Sequence, residues 1–146
     1  MLFRSEAPYK IETDRKFYLF EINPMGAVRM TRSDKWKTNI NHINPLKRQR
    51  KAVHKYFTFK TTIQLQAKSM GYNLGETLEA VYVIQMPNSW SKKKKERMNG
   101  LPCKVKPDTD NITKAIKDAL KVNDSDVWYE KAEKRWGYKG AIIIYE

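Results

Sequence analysis

Between Asn111 and Lys121 the chain has its cleanest helical period. Ile112, Ala115, Ile116, Ala119 and Leu120 fall within about 140° of arc at 100° per residue, with Asp110, Lys114, Lys117, Asp118 and Lys121 opposite. A helix with one apolar face must bury it against another layer, so the fold depends on what else the sequence offers as cover. Glu76 to Met86 alternates, with Leu78, Ala80, Tyr82, Ile84 and Met86 on one face, and reads as a strand ended by Pro87. Lys16 to Ile22 is aromatic and β-branched, stops at Asn23-Pro24, and reads as another. Val127 to Trp136 and Ala141 to Tyr145 read as two more, joined around Gly137-Tyr138-Lys139-Gly140. A second long helix is expected from about Leu46 to Met70. Val53, Phe57, Ile63, Ala67 and Met70 recur near helical spacing there, Phe59 and Leu65 lie off the stripe, and Gly71 is the C-cap. Ser89 to Asn99 reads as a short helix capped by Ser89 and closed by Gly100. The order predicts an α+β fold: one small domain with a mixed or antiparallel sheet packed against two main helices. Its 146 residues hold no repeat and no Gly/Ser linker, and a core of that size needs no staple.

Charge narrows the function. Lysine and arginine number 29 against 16 acids, a formal +13, and a surplus of that size calls for an anionic partner, nucleic acid before an acidic membrane. The longest apolar run, Ala141 to Tyr145, is far short of the roughly 20 residues that span a bilayer, so no membrane role is expected. The opening MLFRSEAPYK has no apolar stretch after its first positive charge and does not read as a secretory signal. Cys103 stands alone with His42 and His54, which argues against a disulfide or a Cys/His metal cluster and for a reducing, cytoplasmic setting. These three are read as structural.

The acids are unevenly spread. Asp108, Asp110, Asp118, Asp124, Asp126, Glu130 and Glu133 place seven of the sixteen within 26 residues of a very basic chain. Pro107 biases Lys106 toward extended backbone, and an extended run to the helix start would aim Asp108 and Asp110 to one side, with Asp110 at or near the N-cap. Two carboxylates so close repel unless a proton or a cation is shared, and Mg²⁺ takes one or two carboxylates with water and phosphate completing its shell. Asp124 and Asp126 follow the helix. An eleven-residue helix is about 16 Å long, so the chain must fold back for them to meet the first pair.

Lys106-Pro107-Asp108-Thr109-Asp110-Asn111-Ile112, then Lys114, then Asp118-Ala119-Leu120, then Asn123-Asp124-Ser125-Asp126-Val127, resembles the signature of RusA-type Holliday junction resolvases. That pattern runs D-x-D-N-[apolar]-x-K-x-x-x-D-x-L, a spacer, then D-D-x-Q-V. Ser89 to Lys95 resembles a segment found in phage and prophage members, and the strong resemblance covers residues 89 to 127. It implies a small α+β homodimer that cuts four-way DNA junctions with Mg²⁺, Mn²⁺ substituting, one nick per subunit and no small-molecule cofactor. By position it implies Asp108, Asp110 and Asp124 as metal-binding carboxylates and Lys114 as the essential lysine. Asn123 replaces the first aspartate of the D-D pair, Asp126 replaces glutamine, and the spacer is short.

The residue types suit phosphoryl chemistry. Lys114, one turn beyond Asp110, is placed to contact a scissile phosphate, and Asp118, a turn further, to hold that ammonium. Asp118 and Asp126 read equally well as surface acids. Arg29, Arg32 and the run Lys92, Lys93, Lys94, Lys95 are candidate phosphate contacts or solvated charge, as are Lys35, Lys37, Lys47, Arg48, Arg50 and Lys51. Trp36 and Trp90 are candidates for stacking on a base or for burial in the core. Two other functions fit the same residues: a basic architectural protein that binds DNA without cutting it, and a nuclease for flaps, forks or RNA-containing structures.

Overall fold

The computed structural model describes residues 14–29 and 51–146. Arg32, Lys35, Trp36, Lys37, His42, Lys47, Arg48, Arg50 and the expected helix start at Leu46 lie outside the described residues. Four strands form one mixed sheet in the order β1-β4-β2-β3: β1 (Phe17–Phe20), β2 (Thr77–Gln85), β3 (Tyr129–Gly137) and β4 (Ala141–Tyr145). β4 runs antiparallel to both β1 and β2, whereas β2 and β3 are parallel in register from Thr77↔Tyr129 to Gln85↔Gly137. Between those parallel strands the chain makes α2 (Lys92–Met98), α3 (Thr109–Ala119) and a 3-10 turn (Asp124–Asp126). The segment Tyr138 to Gly140 therefore steps over the end of β2, and β3 and β4 do not form a hairpin.

The continuous apolar run Ala141 to Ile144 makes sense at the centre of the sheet, where β4 is covered on both faces. Ile142 and Ile144 join Leu78, Ala80 and Tyr82 on the helix side, and Ala141 and Ile143 join Phe17, Val81 and Val83 on the other. β2 is thus buried on both faces rather than on the one its alternation suggested, with Val81 and Val83 packed into the second cluster.

Helix α1 (Lys51–Met70) and α3 pack together on one face of the sheet. From α3, Ile112, Ala115, Ile116 and Ala119 are fully buried, each isoleucine contributing about 1.5–3 kcal/mol. α1 buries Val53, Tyr56, Phe59, Ile63 and Ala67. Phe59 belongs to the stripe and Phe57 sits at its margin, half-buried, the reverse of the sequence expectation. The face is centred on Tyr56, whose hydroxyl has a partner and whose ring can therefore go inside. Leu65 is exposed, as expected. Gly71, at φ +70, closes α1 as read: its N–H donates to Lys68 and that of Tyr72 to Ala67, satisfying the last carbonyls.

Candidate active site

Thr109, not Asn111, begins α3, and Asp108, not Asp110, is its N-cap. Two hydroxyls explain the shift. Thr113 donates back to the Thr109 carbonyl at 2.9 Å and shares a 2.6 Å hydrogen bond with Tyr82, drawing the first turn onto β2. Asp108 keeps extended geometry (φ −70°, ψ 152°), but its carboxylate makes no capping bond, and Asp110 lies within the first turn. The acids therefore do not share one side of an extended run. They flank the positive end of a helix, whose dipole offsets part of their repulsion. Both are exposed, and among the described residues neither carboxylate has a hydrogen-bond or ion-pair partner.

Two pieces of chain fix this helix end. On one side Gly100 to Cys103 runs along the edge of β3, with the N–H of Gly100 donating to Trp136, that of Trp136 to Leu101 and that of Cys103 to Lys134. The Lys134 ammonium then donates to the carbonyls of Val105 and Pro107, the latter at 2.8 Å, and so holds the approach to Asp108; the Lys106–Pro107 peptide is cis. On the other side the loop after β1 lies over the first turn, with the Ala27 N–H donating to the Asn111 carbonyl at 3.1 Å. A Cβ at position 26 would overlap the Asn111 amide and stand 3.1 Å from Pro107 Cβ, so glycine is what lets the loop come this close.

Two hollows meet at Asn111. One, of about 500 Å³, is bounded by Met25, Gly26, Lys106, Pro107 and Asp108. The other, of about 760 Å³, is bounded by Arg29, Tyr56, Lys60, Lys114 and Asp118. Asp118 does not read as the simple holder of Lys114: its carboxylate accepts from the Tyr56 hydroxyl at 2.7 Å. Burial, and then Asp118, push the Tyr56 phenol well above its ordinary pKa, so Tyr56 stays a donor. Lys117 is not on the solvated face either. It is buried and paired with Glu130 of β3, because α3 lies close enough to that strand to enclose the pair.

The other candidates lie apart. Asp124 and Asp126 sit in the exposed 3-10 turn, beyond the C-terminal end of α3. Asp108 and Asp110 are at the opposite end of that helix, about 16 Å long for eleven residues. Among the described residues no group of three or more His, Cys, Asp or Glu comes together to hold a metal ion. The short helix is capped by Ser91, whose hydroxyl accepts from the Lys94 N–H, rather than by Ser89. None of Lys92, Lys93, Lys94 and Lys95 lines either hollow. Trp90 packs on Trp136 with centroids 4.9 Å apart and carries the Lys94 ammonium at 4.2 Å, a structural role. Arg29 lines the second hollow.

Tyr56, Lys60 and Lys134 shape the site and were not singled out from the sequence; Asn111 entered there only as part of the family signature. Tyr56 and Lys60 are an i,i+4 pair on α1, a weak signal, and nothing in the sequence distinguishes Lys60 or Lys134 from the other lysines.

Asp108 and Asp110, exposed and unclaimed by described partners, are the oxygen donors that a hard divalent ion takes, so the residues present fit Mg²⁺ in part. The family model described as Endodeoxyribonuclease RusA matches residues 22–145, nearly the whole chain. No curated protein matches it in sequence.

Proposed function

Because the chain belongs to the RusA endodeoxyribonuclease family, we propose that it is a Mg²⁺-dependent enzyme that resolves four-way DNA junctions, or related branched DNA, by paired phosphodiester cleavage. The observation that carries this reading is the exposed Asp108/Asp110 pair at the start of α3, with Asp108 lining one hollow that shares Asn111 with a second, lined among the described residues by Arg29, Lys60 and Lys114. Asp108 and Asp110 would hold the ion, Mn²⁺ substituting, and Asp124 would complete its carboxylate set. Bound there, the ion supplies Lewis acidity toward water and the leaving oxygen.

The protein's own residues bind and orient the strand. Lys114 is four residues beyond Asp110, about 6 Å along the helix axis, and its ammonium donates to a non-bridging oxygen of the scissile phosphate. Asn111 separates the two hollows and fixes the loop that walls both. Asp118, held by Tyr56, sets the far wall of the cationic hollow.

A homodimer fits the chemistry, since two nicks in a two-fold junction need two sites. It also gives the third acid a route: Asp124 lies at the wrong end of α3 for its own chain's pair, and a partner's Asp124 can meet it. No described helix is long and apolar enough to cross a membrane, in keeping with a DNA substrate.

The test is a labelled synthetic four-way junction incubated with the protein and with Asp110→Asn, with and without Mg²⁺. Paired, symmetrical, Mg²⁺-dependent nicks lost in the variant are expected. Tight junction binding without cleavage under any metal, equal in both proteins, would replace the enzyme with a non-cutting architectural protein. Asn123 would then be the residue to examine. Nicking of flaps or forks in preference to four-way junctions would keep the enzyme and change the substrate.

A further inference from the structure

Lys60 is a cation of the site that rests on aromatic side chains. Its ammonium lies 4.8 Å from the Tyr56 ring centroid and 4.6 Å from that of Phe57. The side chain is half-buried on α1, the helix that packs against α3. A lysine resting on two rings has given up part of its rotamer freedom in folding, so it loses less on meeting an anion than a solvated lysine does. The two rings are fixed in turn: Tyr56 is buried and bonded to Asp118.

Around it, among the described residues, the second hollow holds Arg29, Lys60 and Lys114 beside one carboxylate, Asp118. Tyr56 donates to that carboxylate, which reduces its repulsion of an incoming anion. The hollow shares Asn111 with the one that Asp108 lines, and runs along α3 past Lys114 and Asp118. A strand passing from Asp108 across Asn111 would bring its next backbone anion to this space, and about 760 Å³ is ample for a phosphodiester and its waters.

Building on the nuclease reading above, we propose that this hollow is a subsite for the backbone phosphate next to the scissile one, with Lys60 as its fixed cation. Lys114 contacts the phosphate that is cut. Lys60 holds the neighbouring one and sets the register of the strand over the acid pair. Contact with a phosphate adds affinity and register, and reads no base.

The probe is a set of four-way junctions, each with a single neutral methylphosphonate at one of the positions flanking the nick. Binding is measured in EDTA over a salt series, and cleavage separately in Mg²⁺. In the unaltered protein one substituted position next to the nick should weaken binding about tenfold. Lys60→Gln should weaken binding of the unmodified junction by a similar factor and flatten the salt slope by about one. It should also abolish the penalty at that one position, and raise KM more than it lowers kcat. Lys60→Arg should restore the penalty, and far-UV circular dichroism with a melting curve confirms that each variant is folded.

If Lys60→Gln binds and cuts as the unaltered protein does, or if its penalty persists at every position, the subsite is wrong while the nuclease stands. If the protein binds junctions with the Lys60-dependent penalty but never cuts, the subsite stands and the nuclease reading falls. If the protein binds no DNA, both fall.

Discussion

The two ends of α3 carry the same kind of residue in opposite settings. At the N-terminal end Asp108 and Asp110 are exposed, but the backbone beneath them is tied down from three directions: by Lys134, by the loop at Gly26 and Ala27, and by Thr113 and Tyr82. At the C-terminal end Asp124 and Asp126 are just as exposed, in a turn of three residues that follows Lys121 at φ 58°. That turn is anchored by the burial of Val127 and by the Trp128 N–H on Glu76. Acids that hold a cation within a few tenths of an ångström need a rigid base, and the ties beneath the first pair supply one. In the dimer proposed above, the second end is the one that would serve a partner's site.

Substituting the acids tests this difference most strongly. Asp108→Asn and Asp110→Asn should each lower the cleavage rate on a four-way junction at least about 100-fold while leaving the melting temperature within a few degrees. Mixing Asp110→Asn with Asp124→Asn sharpens the comparison. If the second end serves a partner's site, mixed dimers contain one intact site and single nicks reappear. If each chain completes its own, the mixture stays inactive.

Next come the ties at the N-terminal end. Lys134→Met leaves the Val105 and Pro107 carbonyls unpaired and should cost about 1–3 kcal/mol in denaturant unfolding, with cleavage falling further than junction binding. Gly26→Ala should cost a similar amount, through displacement of the loop from Asn111 and Pro107. At the other end Ser125→Ala, in the exposed turn, should change stability by less than about 0.5 kcal/mol. An equal cost at both ends would dissolve the contrast.

A separate effect is a pH dependence of the core beneath α3, with Tyr82 toward its first end and Tyr72 toward its second. Burial raises Tyr82 and Tyr72 from 10 to about 12. Above pH 10 the unfolded chain releases those protons while the folded one keeps them, so the unfolded state binds fewer and stability falls as pH rises from 10 to 12. Melting curves across that range should show the decline, and Tyr82→Phe should make it shallower.

Much of this was legible in the sequence where one force dominated. Ile112, Ala115, Ile116 and Ala119 are buried as their spacing requires, and Ala141 to Ile144 are too apolar to lie anywhere but the centre of the sheet. The reading slipped where a polar group found a specific partner. Tyr56, Lys117 and Thr113 look like surface residues until Asp118, Glu130 and Tyr82 are placed beside them. The start of α3 moved by two residues for the same reason. Parallel pairing of β2 with β3 left no local trace, because alternation along a strand says nothing of its neighbour's direction. Within the candidate site, Asp108, Asp110 and Lys114 stand out by spacing, whereas Lys60 is one of 29 cations and is distinguished only by the rings it rests on.

The lysine that steadies the acid pair comes from a strand made after it: Lys134 follows Pro107 by 27 positions and is in place only once β3 has registered against β2. Parallel pairing across so long a connection is slow to form, since the loop must close before any contact rewards it. During synthesis the chain therefore carries Asp108 and Asp110 well before it can orient them. A ribosome-released fragment ending before residue 134 would hold both acids and lack the clamp on the backbone that leads to them. In folding time, the order of the acid site is a late event, and the C-terminal strands govern it although they contain none of its acids.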